Sequence, residues 1–135
     1  MMARILVAED DDTVRAFVSR ALAHVGHEVV EAADGGLAAE ICADEAGRFD
    51  LLLSDIKMPV MDGISLALAV ASNYPALPIL LMTGFADQRE RAHGLEALIY
   101  DVVPKPFSLQ GLLDKVDDAL NQRPIEMPSL SRLAG

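Results

Sequence analysis

Leu51-Leu52-Leu53-Ser54-Asp55-Ile56-Lys57-Met58-Pro59-Val60-Met61-Asp62-Gly63 is the stretch that decides the fold. A short apolar run ends in a single carboxylate, and turn-forming residues follow it, so Asp55 is expected where a buried strand exits into a loop. Three other segments repeat the design. Ile5-Leu6-Val7-Ala8 runs into Glu9-Asp10-Asp11-Asp12, Ile79-Leu80-Leu81-Met82 into Thr83-Gly84, and Val102-Val103-Pro104 into Lys105-Pro106-Phe107. Strands are predicted near 4–8, 28–32, 50–54, 78–82 and 99–103, alternating with helices near 12–24, 35–46, 63–73, 87–96 and 108–121. Such alternation builds an α/β fold, a doubly wound parallel sheet with helices on both faces.

The helices carry their own punctuation. Val14, Phe17, Val18, Ala21, Leu22 and Val25 form one apolar stripe, with Asp11 or Asp12 able to cap its start and Gly26 to close it. Ser108 is placed to cap the last helix, which is expected to stop before Pro124. The segment from Ile64 to Ala71 is apolar nearly all round, as a deeply packed helix would be. His27-Glu28-Val29-Val30-Glu31-Ala32 alternates with polar residues and reads as an edge strand.

With 135 residues, 52% of them apolar, the chain can bury one real core. Its formal charge of −10 speaks against nucleic acid or an anionic membrane surface as partner, because both attract basic proteins. Cys42 is the only cysteine, so no internal disulfide can form, and a small core residue is its plain reading. No run approaches the roughly 18 apolar residues that span a bilayer, and no charged-then-apolar leader opens the chain. A cytoplasmic protein is expected.

In an open α/β sheet the functional site lies beyond the carboxyl ends of the strands, so Glu9, Asp10, Asp55, Thr83 and Lys105 are expected to meet there. Each alone has a plain explanation: helix-start acids, a strand-end threonine, an exposed lysine. Their conjunction suits phosphoryl chemistry. Asp55 can act as a covalent acceptor once the charge between carboxylates and phosphate is neutralised. Mg2+ does this with oxygen ligands, here Asp10 and Asp55 directly, the backbone carbonyl of Lys57, and Glu9 through a water. Lys105 offers a point charge to the phosphoryl oxygens, and the Thr83 hydroxyl a hydrogen bond that exists only after transfer. Pro106 makes a cis peptide accessible after Lys105.

The set Glu9-Asp10, Asp55 to Gly63, Met82-Thr83 and Lys105-Pro106-Phe107 closely resembles the CheY-like receiver domains of two-component response regulators. That resemblance implies a flavodoxin-like five-stranded sheet in the order 2-1-3-4-5 and a receiver over residues 1–122, with a flexible tail over 123–135. It implies a phospho-acceptor signalling protein rather than an enzyme, taking its phosphoryl group at Asp55 from a histidine kinase or histidine phosphotransfer protein. Since no output domain is seen after residue 122, the response would pass through a partner protein. Loop and tail details further resemble the CpdR type of alphaproteobacterial cell-cycle regulator, for which the partner would be ClpX of the ClpXP protease. One departure stands out. The position three before the lysine, commonly aromatic in such receivers, is Val102, and Tyr100 is expected on the same strand face two residues earlier. Two other readings compete: a pseudo-receiver that binds without phosphorylation, and a haloacid-dehalogenase-like phosphatase using the Asp-x-Asp spacing at Asp10 to Asp12.

Overall fold

The computed structural model describes residues 2–84, 92, 94, 95 and 97–134, with side chains through 121. Its strands are β1 (Arg4–Ala8), β2 (Glu28–Ala32), β3 (Leu51–Asp55), β4 (Ile79–Thr83) and β5 (Asp101–Pro104). Its helices are α1 (Asp12–His24), α2 (Gly35–Asp44), α3 (Gly63–Asn73) and α4 (Leu109–Ala134). All neighbouring strands pair in parallel, in the order β2-β1-β3-β4-β5, so the polar-alternating strand is indeed at an edge. The helix expected over 87–96 lies outside the described residues apart from 92, 94 and 95. No helix among the described residues is long and apolar enough to cross a membrane.

Strand periodicity sorts the core into two layers, because successive side chains leave opposite faces of a sheet. Leu6, Leu52, Ile79 and Leu81 pack with Ala38 and Cys42 of α2 and with Leu66 and Val70 of α3. Ile5, Val7, Leu51, Leu53, Leu80 and Met82 pack on the other face with Val18 and Leu22 of α1 and Leu112 and Val116 of α4. The central strands β3 and β4 are buried throughout, as burial on both faces requires.

Helix ends follow the expected chemistry. Asp11 caps α1 by accepting from the N–H groups of Thr13 and Val14, and Gly26 follows with φ of 100°. Asp34 and Asp62 cap α2 and α3, and the Ser108 hydroxyl accepts from Gly111 N–H at the start of α4. Two expectations shift. α3 buries Gly63, Leu66, Ala67 and Val70 while Leu68 is exposed, so its apolar perimeter is only half used. And α4 continues past Pro124, although each proline within it forfeits a backbone N–H and costs about 3 kcal/mol in a helix interior.

Candidate functional site

β1, β3, β4 and β5 deliver their last residues to one edge. Register pairs Ala8 with Ser54, Asp55 with Met82, and Thr83 with Pro104, so Glu9, Asp55, Thr83 and Lys105 emerge at nearly the same height. The loop after Asp55 is drawn back beneath it: Gly63 N–H donates to the Ile56 carbonyl at 2.7 Å. Only glycine fits there, because a Cβ on Gly63 would lie 2.1 Å from the Asp55 carbonyl oxygen. The sequence pair Asp62-Gly63 is therefore a cap and a close approach in adjacent positions. Val60, at the outer part of this loop, is highly exposed and has φ of 71°, a backbone region that a β-branched residue seldom adopts.

Glu9, Asp10 and Asp55 offer one carboxylate oxygen each, all within 4.8 Å of one another. Asp10 is exposed, while Glu9 and Asp55 are buried. Lys105 Nζ lies between the buried pair, 3.0 Å from Glu9 Oε1 and 3.3 Å from Asp55 Oδ1. Asp55 Oδ1 also accepts from its neighbour Ile56 N–H, and Glu9 Oε2 accepts from Asp11 N–H. Burial pushes the Glu9 carboxyl up to about 7, against the hydrogen bonds from Lys105 and Asp11 that favour its charge. For Lys105 burial disfavours the charge, but the hydrogen bond to Glu9 and the charge of Asp55 prevail and hold its pKa above the usual lysine value. The Lys105-Pro106 bond is cis.

Thr83 is buried, and its Oγ1 has no hydrogen-bond partner among the described residues. A hydroxyl in that state costs about 1–3 kcal/mol, which is unexpected for a residue chosen for packing. The donor set fits a hard divalent cation: three convergent carboxylates of which only two are faced by a lysine, at a partly open mouth. The Lys57 side chain is exposed, which leaves its main chain as the part that belongs to the loop. The carboxylates of Glu9, Asp10 and Asp55 and the ammonium of Lys105 are thus brought together, and strand register sets Thr83 at the same edge of the sheet.

One expectation about the rim fails. Val102 packs with the layer of α2 and α3, whereas Tyr100 packs with the layer of α1 and α4. Tyr100 sits in a bend just before β5 begins at Asp101, so strict alternation does not reach back to it, and the two residues are on opposite faces. Another feature was missed in the sequence. Arg15 donates to the Glu9 main-chain carbonyl, to Asp12 and to Glu31; only the Asp12 pair, three residues apart on one helix, has a sequence signature.

The response regulator receiver domain model matches residues 5–117. The response regulator MprA of Mycobacterium ulcerans is 38% identical over 126 residues, covering 93% of this chain and 53% of that protein. FleR of Pseudomonas aeruginosa is 38% identical over 125 residues, 92% of this chain and 26% of that protein. The chain thus spans about half the length of one relative and about a quarter of the other. Among solved structures, the Vibrio cholerae chemotaxis protein CheY4 superposes with a TM-score of 0.76 at 32% identity, covering 88% of this chain and 99% of that one. The receiver domain of the hybrid histidine kinase CckA gives a TM-score of 0.72 at 35% identity, over 87% and 98% of the two chains. With its sheet order, its strand-end acids and a family match across most of its length, the chain belongs to the response regulator receiver domains.

Proposed function

We propose that the chain is a phosphorylation switch in which Asp55 accepts a phosphoryl group from a histidine kinase or histidine phosphotransfer protein. The observation that carries this reading is the cluster of Glu9, Asp10, Asp55 and Lys105 at the strand ends, with the buried Thr83 hydroxyl, unpartnered among the described residues, at the end of the neighbouring strand. Transfer forms a bond from an Asp55 oxygen to phosphorus and returns the electron pair of the broken P–N bond to the donor imidazole. Asp10 and Asp55 would hold Mg2+, with the Lys57 carbonyl and, through a water, Glu9 completing the set; when bound, the ion would neutralise charge between the carboxylates and the phosphoryl oxygens. Lys105 then turns from a carboxylate counter-ion into a phosphoryl counter-ion, and Thr83 gains the acceptor it lacks. That pair of changes distinguishes the two states and redistributes affinity for a partner protein.

Acetyl phosphate with Mg2+ tests the chemistry without any kinase. The expected result is a mass gain of one phosphoryl group that disappears in Asp55→Asn. Labelling that survives in Asp55→Asn or in EDTA sinks the acceptor reading and favours a pseudo-receiver. Thr83→Ala is expected to accept phosphate yet lose the phosphate-dependent change, read as amide hydrogen exchange with and without beryllofluoride. At the finer level, the resemblance to the CpdR type makes ClpX the first partner to try. Titration of purified ClpX with acetyl-phosphate-treated and untreated chain decides it; equal affinity of the two forms discards ClpX as the reader.

A further inference from the structure

Glu9-Asp10-Asp11-Asp12 places four consecutive carboxylates at the mouth of the site, and the fold gives them different tasks. Glu9 and Asp10 turn toward Asp55, Asp11 caps α1, and Asp12 turns to Arg15. Arg15 touches three separate elements at once. Its Nη1 donates to the Glu9 main-chain oxygen at 2.8 Å, its Nη2 to Asp12 Oδ1 at 2.6 Å, and its Nε to Glu31 Oε1 of β2 at 3.1 Å. The side chain is 18% exposed, so this is a seated guanidinium rather than a loose surface charge.

The carbonyl contact has a specific geometric consequence. Glu9 C=O and Asp10 N–H belong to one planar peptide unit, so holding that oxygen fixes the plane from which the Asp10 side chain departs. The other edge of the same turn is also held, since Glu9 N–H donates to the Ala32 carbonyl of β2 at 3.1 Å. Glu31 and Ala32 thus tie the turn after β1 to the edge strand from two directions, one through Arg15 and one through the backbone. Asp12, meanwhile, is drawn to the outside, where it does not compete with Asp10 for the cation.

We propose that Arg15 is a positioning residue for the cation-binding carboxylates: it locks the Glu9–Asp10 peptide and withdraws Asp12, so that Asp10 faces Asp55. The proposal rests on the Mg2+-dependent reading given above. Charge and geometry make opposite demands here, and this gives the test its power. A guanidinium near a cation site repels the cation, so removing it tightens Mg2+ binding if charge is all it contributes. Removing a partner that orients a metal ligand weakens binding, typically by about 10- to 100-fold.

The measurement is Mg2+ affinity of the unphosphorylated full chain, by competition against Mn2+ followed through water-proton relaxation. Arg15→Met, which keeps the aliphatic stem, is expected to weaken Mg2+ by about tenfold or more. Arg15→Lys is expected to fall between parent and Arg15→Met, because an ammonium keeps the charge but cannot span three partners. Thermal melting of each variant confirms that it is folded, and Arg15→Lys serves as the readout if Arg15→Met does not fold. Affinity equal to or tighter than the parent in the folded variants overturns the proposal. Asp10→Asn separates the two levels: if it binds Mg2+ as the parent does, the metal reading itself is wrong and the Arg15 proposal falls with it. If Asp10→Asn loses Mg2+ while Arg15→Met keeps it, only the role of Arg15 is wrong.

Discussion

At the amino ends of the strands Arg4 donates to Glu28 at 2.7 Å, pairs with Glu45, and stacks its guanidinium 4.6 Å from the Phe49 ring centre. The Arg4 N–H donates to Asp50 and the Ala3 N–H to His27 Nδ1, so acid, base and backbone all find partners there. At the carboxyl ends β1 and β3 bring three carboxylates together, the chain after β5 adds a lysine, and β4 ends in a buried hydroxyl with no partner among the described residues. One end of the sheet is electrostatically finished and the other is left incomplete. Closing charges locally stabilises a fold, whereas leaving them open keeps affinity in reserve for a ligand. The contrast assigns stability to one end and chemistry to the other, and it can be broken by variants that trade these effects.

The largest effect is expected from matched substitutions at the two ends. Asp10→Asn should slow Mg2+-dependent labelling by acetyl phosphate at least about tenfold with little change in melting temperature, since Asp10 is exposed. Arg4→Met should do the reverse, lowering the melting temperature by a few degrees and leaving labelling intact. If Arg4→Met impairs labelling as much as Asp10→Asn does, the division between the ends is wrong.

Next in size is Glu9. Its folded pKa is raised from the ordinary glutamate value to about 7, so its contribution to stability is fully present below the unfolded pKa and is lost as pH rises through 7. Glu9→Gln should therefore be more stable than the parent in EDTA at pH about 8, by up to about 3 kcal/mol in denaturant unfolding, with the advantage vanishing as pH approaches about 4.5. A pH-independent difference between the two proteins would show that burial of the charge is not the cause. Thr83→Val makes the related point without charge. It keeps the shape and deletes the unpaired hydroxyl, and should stabilise the metal-free protein by about 1 kcal/mol; destabilisation in thermal melts would mean that the hydroxyl has a partner.

Much of this contrast is legible in the sequence, and unevenly so. The strand-exit residues can be read because Leu51 to Ser54 and Ile79 to Met82 are apolar without interruption, which marks central strands, and the polar residue that follows must be at an exit. The two core layers follow from period-two alternation. What alternation does not convey is where a strand begins: Tyr100 lies in a bend ahead of β5, and its face is set by that bend rather than by its distance from Val102. Nor does it convey the tie from Arg15 to Glu31 and the Glu9 carbonyl, because that depends on how α1 lies against β1 and β2. Local chemistry is written locally; contacts between elements appear only once the helices are docked.

The smallest effect is expected at His27, and it has the opposite sign to that at Glu9. His27 Nδ1 accepts a hydrogen bond from Ala3 N–H at 3.0 Å, which requires that nitrogen to carry no proton. Burial lowers its pKa, the chain amino terminus lowers it further, and the nearby Asp117 and Asp50 only partly oppose them. Because the folded pKa lies below the unfolded value, the contribution of His27 is present above pH about 6.5 and is lost as pH falls below it toward the folded pKa. His27→Asn supplies a side-chain oxygen in place of Nδ1 and cannot titrate, so the difference in melting temperature between parent and variant should shift against the parent on acidification from pH about 7.5 to 5.5. Glu9 titrates in the same window in both proteins and cancels from the difference, provided that the two distant sites act independently. A difference that stays constant across the window would mean that His27 binds its proton equally well in the folded and unfolded chains, and the contact with Ala3 would then not hold the imidazole neutral.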